Sequence, residues 1–304
     1  MDKHELLSRI TTFQLASRDL AEDLLAGEFL SVFKGQGMEF DEVRHYEIGD
    51  DVRSIDWNVS ARFGTPYVKL YREERELSVC IVLDLSASMH TGGGAVLTSY
   101  EQGLLAAALI AFSAERSGQR VGAVFFDRDI SQVFSPRKGR AHIMTLLSAA
   151  LGAPEPTETG GQTSDLGKAL AGTGRLLKAR RFRRSGPRSL VVLISDFMCV
   201  NWEQPLGDLC AEHDVIALRI TGPLDREIPN AGLITLQDTE TGLLLHAPSG
   251  SAAFRASWAE WHEERSQFWQ IVCRRRGAAA LSLSTDDDAV TVLTRFFRGR
   301  RRRR

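Results

Sequence analysis

The chain has 304 residues, 43% of them hydrophobic, and a formal net charge of −1, so no global field draws it to nucleic acid or membrane. Chains of this size bury roughly 75% of their unfolded surface, enough for a substantial core. Cys80, Cys199, Cys210 and Cys273 form no Cys-x-x-Cys pair and no zinc spacing, and read as buried free thiols in a reducing compartment. The charged start Met1-Asp2-Lys3-His4-Glu5 is unlike a signal peptide. The longest clean apolar run, Leu104 to Phe112, falls far short of the roughly 18 residues of a membrane span. A soluble, cytoplasmic protein is expected.

In chain order, residues 4–25 carry helical periodicity through Leu6, Leu7, Ile10, Phe13, Leu20, Leu24 and Leu25. Residues 27–76 are rich in Gly, aromatics and paired charges. They contain short strand-like pieces such as Tyr67–Tyr71 and read as a β-containing lead-in. From Leu77 the pattern alternates: strand 77–84, helix 99–117, strand 120–127, and a short return at Asp129–Phe134 too close for a crossover, hence an antiparallel edge strand. A helix at 139–151, a Pro/Gly/Thr-rich loop at 152–163, a helix at 164–181, strand 189–195, a helix at 203–212 and strand 214–220 follow. A hairpin pairs Ile234–Gln237 with Leu243–His246, and a long helix spans 251–276. Strand 278–284 and a helix at 286–297 close the pattern, before a basic tail at 298–304 whose Arg300–Arg304 run is expected to be disordered. Strand and helix in alternation predict an α/β fold: a doubly wound, mostly parallel, Rossmann-like sheet. It carries an N-terminal β-containing extension (1–76) and a C-terminal hairpin–helix elaboration at about 223–276 within the main unit (77–304).

The most informative segment is Leu77–Met89, an apolar β-branched run that ends in Asp84-x-Ser86-x-Ser88. A strand buried on both faces thus ends in one carboxylate and two hydroxyls, all oxygen donors of the kind hard divalent cations prefer. Asp196 ends a second apolar strand, and Thr163 ends a Gly-rich loop just before a helix. Ligands in open α/β sheets sit beyond the carboxyl ends of the strands. If the two strands are neighbours, all five side chains converge on one crevice.

This set resembles the metal-ion-dependent adhesion site of von Willebrand factor A (vWA) domains: Asp-x-Ser-x-Ser, a loop Thr, then an Asp after a later strand. Gly167, four residues after Thr163, also fits that pattern. The resemblance implies Mg²⁺ (or Mn²⁺) held by Asp84, Ser86, Ser88, Thr163 and Asp196, with an open position for a carboxylate from a protein partner. A second resemblance rests on Arg44-His45-Tyr46-Glu47-Ile48-Gly49-Asp50-Asp51-Val52-Arg53-Ser54-Ile55-Asp56-Trp57-Asn58-Val59-Ser60-Ala61-Arg62, on Glu73–Glu76, on Asp238–Gly242 and on Leu281–Thr285. These stretches are similar to the bacterial family called domain of unknown function 58. That resemblance implies a MoxR-type AAA+ ATPase as partner and an adaptor or co-chaperone role. Within the signature, Arg44, Arg53 and Arg62 interleave with Asp50, Asp51 and Asp56 around Trp57. This is either a salt-bridge network that locks the lead-in or a docking surface for the ATPase.

Other readings fit less well, and no enzymatic activity is expected. A haloacid-dehalogenase-like phosphohydrolase would use Asp84 as nucleophile, but the expected second Asp is Ser86 and the later acidic pair is absent, since Phe197 and Met198 follow Asp196. No Gly-x-Ser-x-Gly elbow accompanies His45, His90 or His142, and Gly92-Gly93-Gly94 lacks the Lys-Ser/Thr of a phosphate loop. The basic cluster Lys178, Arg180, Arg181, Arg183 and Arg184 is expected to line the end of the sheet opposite the crevice as a solvated loop. The Arg300–Arg304 tail permits salt-sensitive contact with acidic lipid or nucleic acid, without sequence specificity.

Overall fold

The computed structural model describes residues 38–47, 50–73, 78–90, 97–153, 164–179, 188–237 and 242–302. The helix expected at 4–25, Thr163, and the arginines 180, 181, 183 and 184 lie outside the described residues.

Strand β1 (Met38–His45) pairs antiparallel with β2 (Tyr67–Glu73), and a seven-residue helix, α1 (Trp57–Phe63), lies between them in sequence. The main sheet has six strands: β3 (Ser78–Asp84), β4 (Arg120–Phe126), β5 (Ile130–Arg137), β6 (Leu190–Ser195), β7 (Asp214–Thr221) and β10 (Ala279–Ser284). Their order is β10-β7-β6-β3-β4-β5, all parallel except β5, which pairs antiparallel with β4 as the short 127–129 connection requires. At Gly122 a Cβ would meet the Phe134 carbonyl oxygen at 2.8 Å, so glycine permits the close approach of β5 to β4. The fold is the mixed α/β, mostly parallel sheet that the alternating pattern predicts.

Helices α2 (Ser99–Arg116), α3 (Arg140–Leu151) and α7 (Ala289–Arg302) cover one face, and α4 (Leu166–Ala179), α5 (Glu203–Glu212) and α6 (Ala252–Arg276) cover the other. Strand alternation sorts the core between them. Val79, Ile81 and Leu83 of β3 join the first layer, while Cys80 and Val82 join the second. Both faces are therefore dry, which is why the central strands read as unbroken apolar runs. Each buried Val, Leu or Ile contributes about 1.5–3 kcal/mol. A capping box at Thr98 and Glu101 starts α2. Buried Gln102 donates to the carbonyls of Ser284 (2.7 Å) and Asp287 (2.9 Å), which ties α2 to the end of β10.

Two expectations change. The lead-in also holds the polar strand β1, and the tail is helical through Arg302, where disorder is expected from Arg300. Arg300 reaches Asp214 at 3.0 Å and extends α7 past its last apolar turn. The hairpin β8 (Ile234–Gln237) with β9 (Leu244–Ala247) forms as expected, one residue displaced on its second strand. No helix among the described residues is long and apolar enough to cross a membrane.

Candidate metal centre

The chain runs outward from β3 to β4 on one side and continues from β6 to β7 and β10 on the other. The crevice beyond the carboxyl ends of β3 and β6 is the switch point of the sheet, where doubly wound folds bind ligands. Asp84 ends β3 and Asp196 follows the last residue of β6, and the two strands pair in register from Val79–Leu190 to Leu83–Ile194. The neighbouring-strand condition is met.

Asp84 is inaccessible to solvent. Its Oδ1 accepts the Ser86 backbone N–H at 2.9 Å, and its Oδ2 accepts the Ser195 hydroxyl at 2.6 Å. Ser86 and Ser88 hydroxyls lie 3.1 Å apart, and Ser88 hydrogen-bonds to the Asp196 carboxylate. Asp196 Oδ1 also accepts the Met198 N–H at 2.9 Å. Asp84, Ser86, Ser88 and Asp196 thus form one connected set of oxygens. Burial, then the charge of Asp196, push the Asp84 carboxyl up to about 7. Burial raises Asp196 as well, with Ser88 and the Met198 N–H opposing.

Thr163 itself is not described, but the start of its helix is. Asp165 N–H donates to the Asp127 carbonyl at the end of β4 (3.1 Å). A Cβ on Gly167 would meet the Asn201 carbonyl at 3.0 Å, so glycine lets the first turn of α4 abut the loop that follows Asp196. Both contacts hold residues 165–167 at the carboxyl edge of the sheet.

Several neighbours escaped the sequence reading. Ser195 shares the strand face of Asp84, a signal available from period-two alternation. Phe197 adopts the left-handed conformation (φ 57°), as does Asn201 (φ 62°). The Phe197 ring packs edge-on to Trp202 (5.3 Å) and against Trp269 (5.7 Å), so the sharp turn that aims Asp196 is anchored in an aromatic cluster. Arg219, beside Ser195 in register on β7, is buried, and its charge acts on Asp196 and Asp225. His262 is buried with Nδ1 3.5 Å from Asp225, and burial lowers its pKa. These residues are distant in sequence and carry no local motif.

The donor chemistry fits a hard divalent cation: two carboxylates and two hydroxyls, with no nitrogen or sulfur in the set. Among the described residues no group of three or more His, Cys, Asp or Glu is positioned for a metal, so any ion here would rely on the serine hydroxyls. Asp84, Ser86, Ser88 and Asp196 would hold it, and the ion would supply an electrophilic position for an incoming oxygen ligand.

The signature block resolves into local contacts. Arg44 grips Asp50 through two bonds (2.8 and 2.7 Å), and the pairing raises the arginine and lowers the carboxyl. Asp56 caps α1 by accepting from Asn58 and Val59 N–H groups at 3.0 and 3.2 Å. Asp51 and Arg62 are exposed, as is Trp57 at 67%. The Arg53 side chain is outside the described set. At the opposite end of the sheet, Lys178 pairs with Glu212 at 2.7 Å.

The family described as "Protein of unknown function DUF58" matches residues 42–267. The chain belongs to this family. An uncharacterized protein of Mycobacterium tuberculosis strain H37Rv is 33% identical over 303 residues, which span 99% of this chain and 92% of the relative. Among solved structures, the conserved hypothetical protein BatB from Bacteroides thetaiotaomicron superposes with a TM-score of 0.46 at 13% identity, over 74% of this chain and 98% of that one. Proximal thread matrix protein 1 of the mussel byssus, with a zinc-occupied MIDAS motif, gives 0.35 at 16% identity, over 49% of this chain and 39% of that one.

Proposed function

We propose that this DUF58 protein is a Mg²⁺-dependent protein-binding module without catalytic activity of its own. The reading rests on one observation: a buried carboxylate, Asp84, whose proton affinity is raised by burial and by the neighbouring charge of Asp196, collared by Ser86, Ser88 and Ser195 at the switch point of a doubly wound sheet. A divalent cation relieves that repulsion. Asp84, Ser86, Ser88, Asp196 and, in the proposal, Thr163 are its ligands, directly or through water. Neutral hydroxyl ligands leave the ion able to accept a carboxylate from a protein partner. Exposed Met198 and Val200, just after Asp196, offer apolar contact on the rim.

The partner in this proposal is a MoxR-type AAA+ ATPase, which the family resemblance implies, and the protein acts as its adaptor on protein complexes. A second contact surface in this proposal is the signature block, in which Val52, Trp57 and Phe63 are exposed and Arg44 pairs with Asp50. The hydrolase reading is disfavoured because both Asp84 oxygens already accept hydrogen bonds and the group is inaccessible to solvent, unlike a nucleophile poised for substrate.

Calorimetric titration with Mg²⁺ and Mn²⁺ tests the ion. The parent chain gives a binding isotherm and Asp84→Ala loses it with the fold retained; equal heats from both proteins reject the proposal. Capture from native cells, with and without chelator, tests the partner. Enrichment of the ATPase only without chelator is expected.

A further inference from the structure

The two edges of the main sheet differ. At the β5 edge the register breaks twice, and the strand ends in Pro136 and Arg137, devices that discourage a further strand. The β10 edge has none. Ala279-Ala280-Leu281-Ser282-Leu283-Ser284 pairs with β7 in unbroken register and carries no charge and no proline. Among the described residues β7 is its only strand partner. Small side chains line this edge: Ala280 and Ser282 are exposed and, with Trp269, Gln270, Arg274 and Ala278, border a cleft of about 390 Å³.

The backbone directions are fixed. Thr285 N–H donates to Thr221 O on β7, so by strand alternation Ala280 and Ser282 turn their N–H and C=O groups away from β7. Further along, Ser284 N–H is taken by Asp287 Oδ2 (2.8 Å), and Ala278 N–H by the Cys273 carbonyl (2.9 Å). Among the described residues, the open donors of the strand are therefore those of Ala280 and Ser282, disposed symmetrically about Leu281.

Charge is symmetric about the same residue, with opposite sign. Arg274-Arg275-Arg276 precedes the strand and Asp286-Asp287-Asp288 follows it, each run starting five residues from Leu281. All six are exposed, and none makes an ion pair among the described residues. The arginines favour the C-terminus of α6, and Asp288 caps α7 through Thr291, but neither role neutralises them.

We propose that the β10 edge pairs with the β10 edge of a second copy of this chain, antiparallel about a two-fold axis at Leu281. Ala280 of each copy then faces Ser282 of the other as a hydrogen-bonded pair, giving four N–H···O bonds. Leu281, half-buried in the monomer, meets its own copy at the axis, where the two strands come closest. The antiparallel arrangement sets each arginine run beside the other copy's aspartate run. A parallel pairing would oppose like charges at both ends. An acidic or a basic peptide laid along the edge would be repelled at one end. Self-pairing satisfies both ends, and the contact is isologous, so it closes at a dimer.

Sedimentation equilibrium of the full chain tests this. The parent chain is expected to dimerise, more weakly as salt rises. Ser282→Pro removes an outward N–H at an edge position that tolerates proline, and Arg274→Glu with Arg275→Glu reverses charge on an exposed helix end. Each is expected to raise the dimer dissociation constant at least about tenfold, roughly 1.4 kcal/mol. Circular dichroism reports whether Ser282→Pro folds; if it does not, the arginine variant decides alone. A parent chain monomeric to about 100 µM overturns the proposal, as does an arginine variant that dimerises like the parent. Chelator leaves the dimer unchanged, which separates this contact from the metal crevice.

Discussion

Ser195 Oγ donates to Asp84 Oδ2 at 2.6 Å and accepts the Phe197 N–H at 3.0 Å. One hydroxyl therefore couples the carboxylate that ends β3 to the turn that aims Asp196. Ser195→Ala leaves a buried carboxylate oxygen and a backbone N–H without this partner. Removing one member of such a set costs about 1–3 kcal/mol. Urea denaturation in chelator is expected to show that loss. Mg²⁺ titration should show weaker affinity, because Asp196 loses its fixed approach. Unchanged values in both would mean that Ser195 is dispensable to the crevice.

The Asp84–Asp196 pair fixes a pH dependence. The folded pKa of Asp84 lies above its unfolded value near 4, so its contribution to stability is fully present below about pH 4 and is lost as pH rises through about 7. In chelator, the parent chain is expected to lose on the order of 1–3 kcal/mol between pH 5 and 8 on this account. Asp84→Asn cannot ionise and should flatten the profile, with a higher melting temperature than the parent at pH 8. Added Mg²⁺ should close the gap by stabilising the parent alone. Thermal melts across pH, with and without the ion, check all three outcomes.

Much of this architecture was legible in the sequence because burial writes itself on it. Strands β3 and β6 are dry on both faces and appear as unbroken apolar runs over Val79–Leu83 and Leu190–Ile194, and Asp84 and Asp196 are the first charged residues to follow them. The lead-in was less legible. Strand β1 mixes Glu39, Asp41, Glu42 and Arg44 with few apolar residues, so no face declares itself. The last turns of α7 were hidden because they rest partly on the Arg300–Asp214 ion pair, a contact 86 residues apart. Arg219 and His262 reach the crevice surroundings through tertiary packing alone, which no local pattern encodes.

The signature block separates stability from recognition. Asp56 caps α1 with two hydrogen bonds, whereas Trp57, beside it, is 67% exposed. Asp56→Ala is expected to cost about 1 kcal/mol and to loosen α1. Trp57→Ala, which gives up little packing, should stay within about 0.5 kcal/mol of the parent. If the exposed indole is part of the ATPase contact, capture falls with Trp57→Ala while the denaturation midpoint holds. Retained capture would assign the block to structure alone.

Two residues in the loop after Asp196 share a left-handed backbone and differ in everything else. Asn201 tolerates that conformation, and replacement by glycine relieves its remaining strain at the cost of a more flexible unfolded chain, so Asn201→Gly should shift stability by less than about 1 kcal/mol in either direction. Phe197→Gly gains the same relief but removes a buried ring set against Trp202 and Trp269. Phenylalanine truncations in cores cost about 3–5 kcal/mol, well above the roughly 1–2 kcal/mol of backbone strain, so packing wins and the variant is destabilised. Its effect on Mg²⁺ affinity should exceed that of Asn201→Gly, because Asp196 immediately precedes the lost anchor. Guanidinium denaturation and metal titration on both variants would check the order. A Phe197→Gly protein as stable as the parent would show that backbone strain, not the aromatic cluster, dominates this turn.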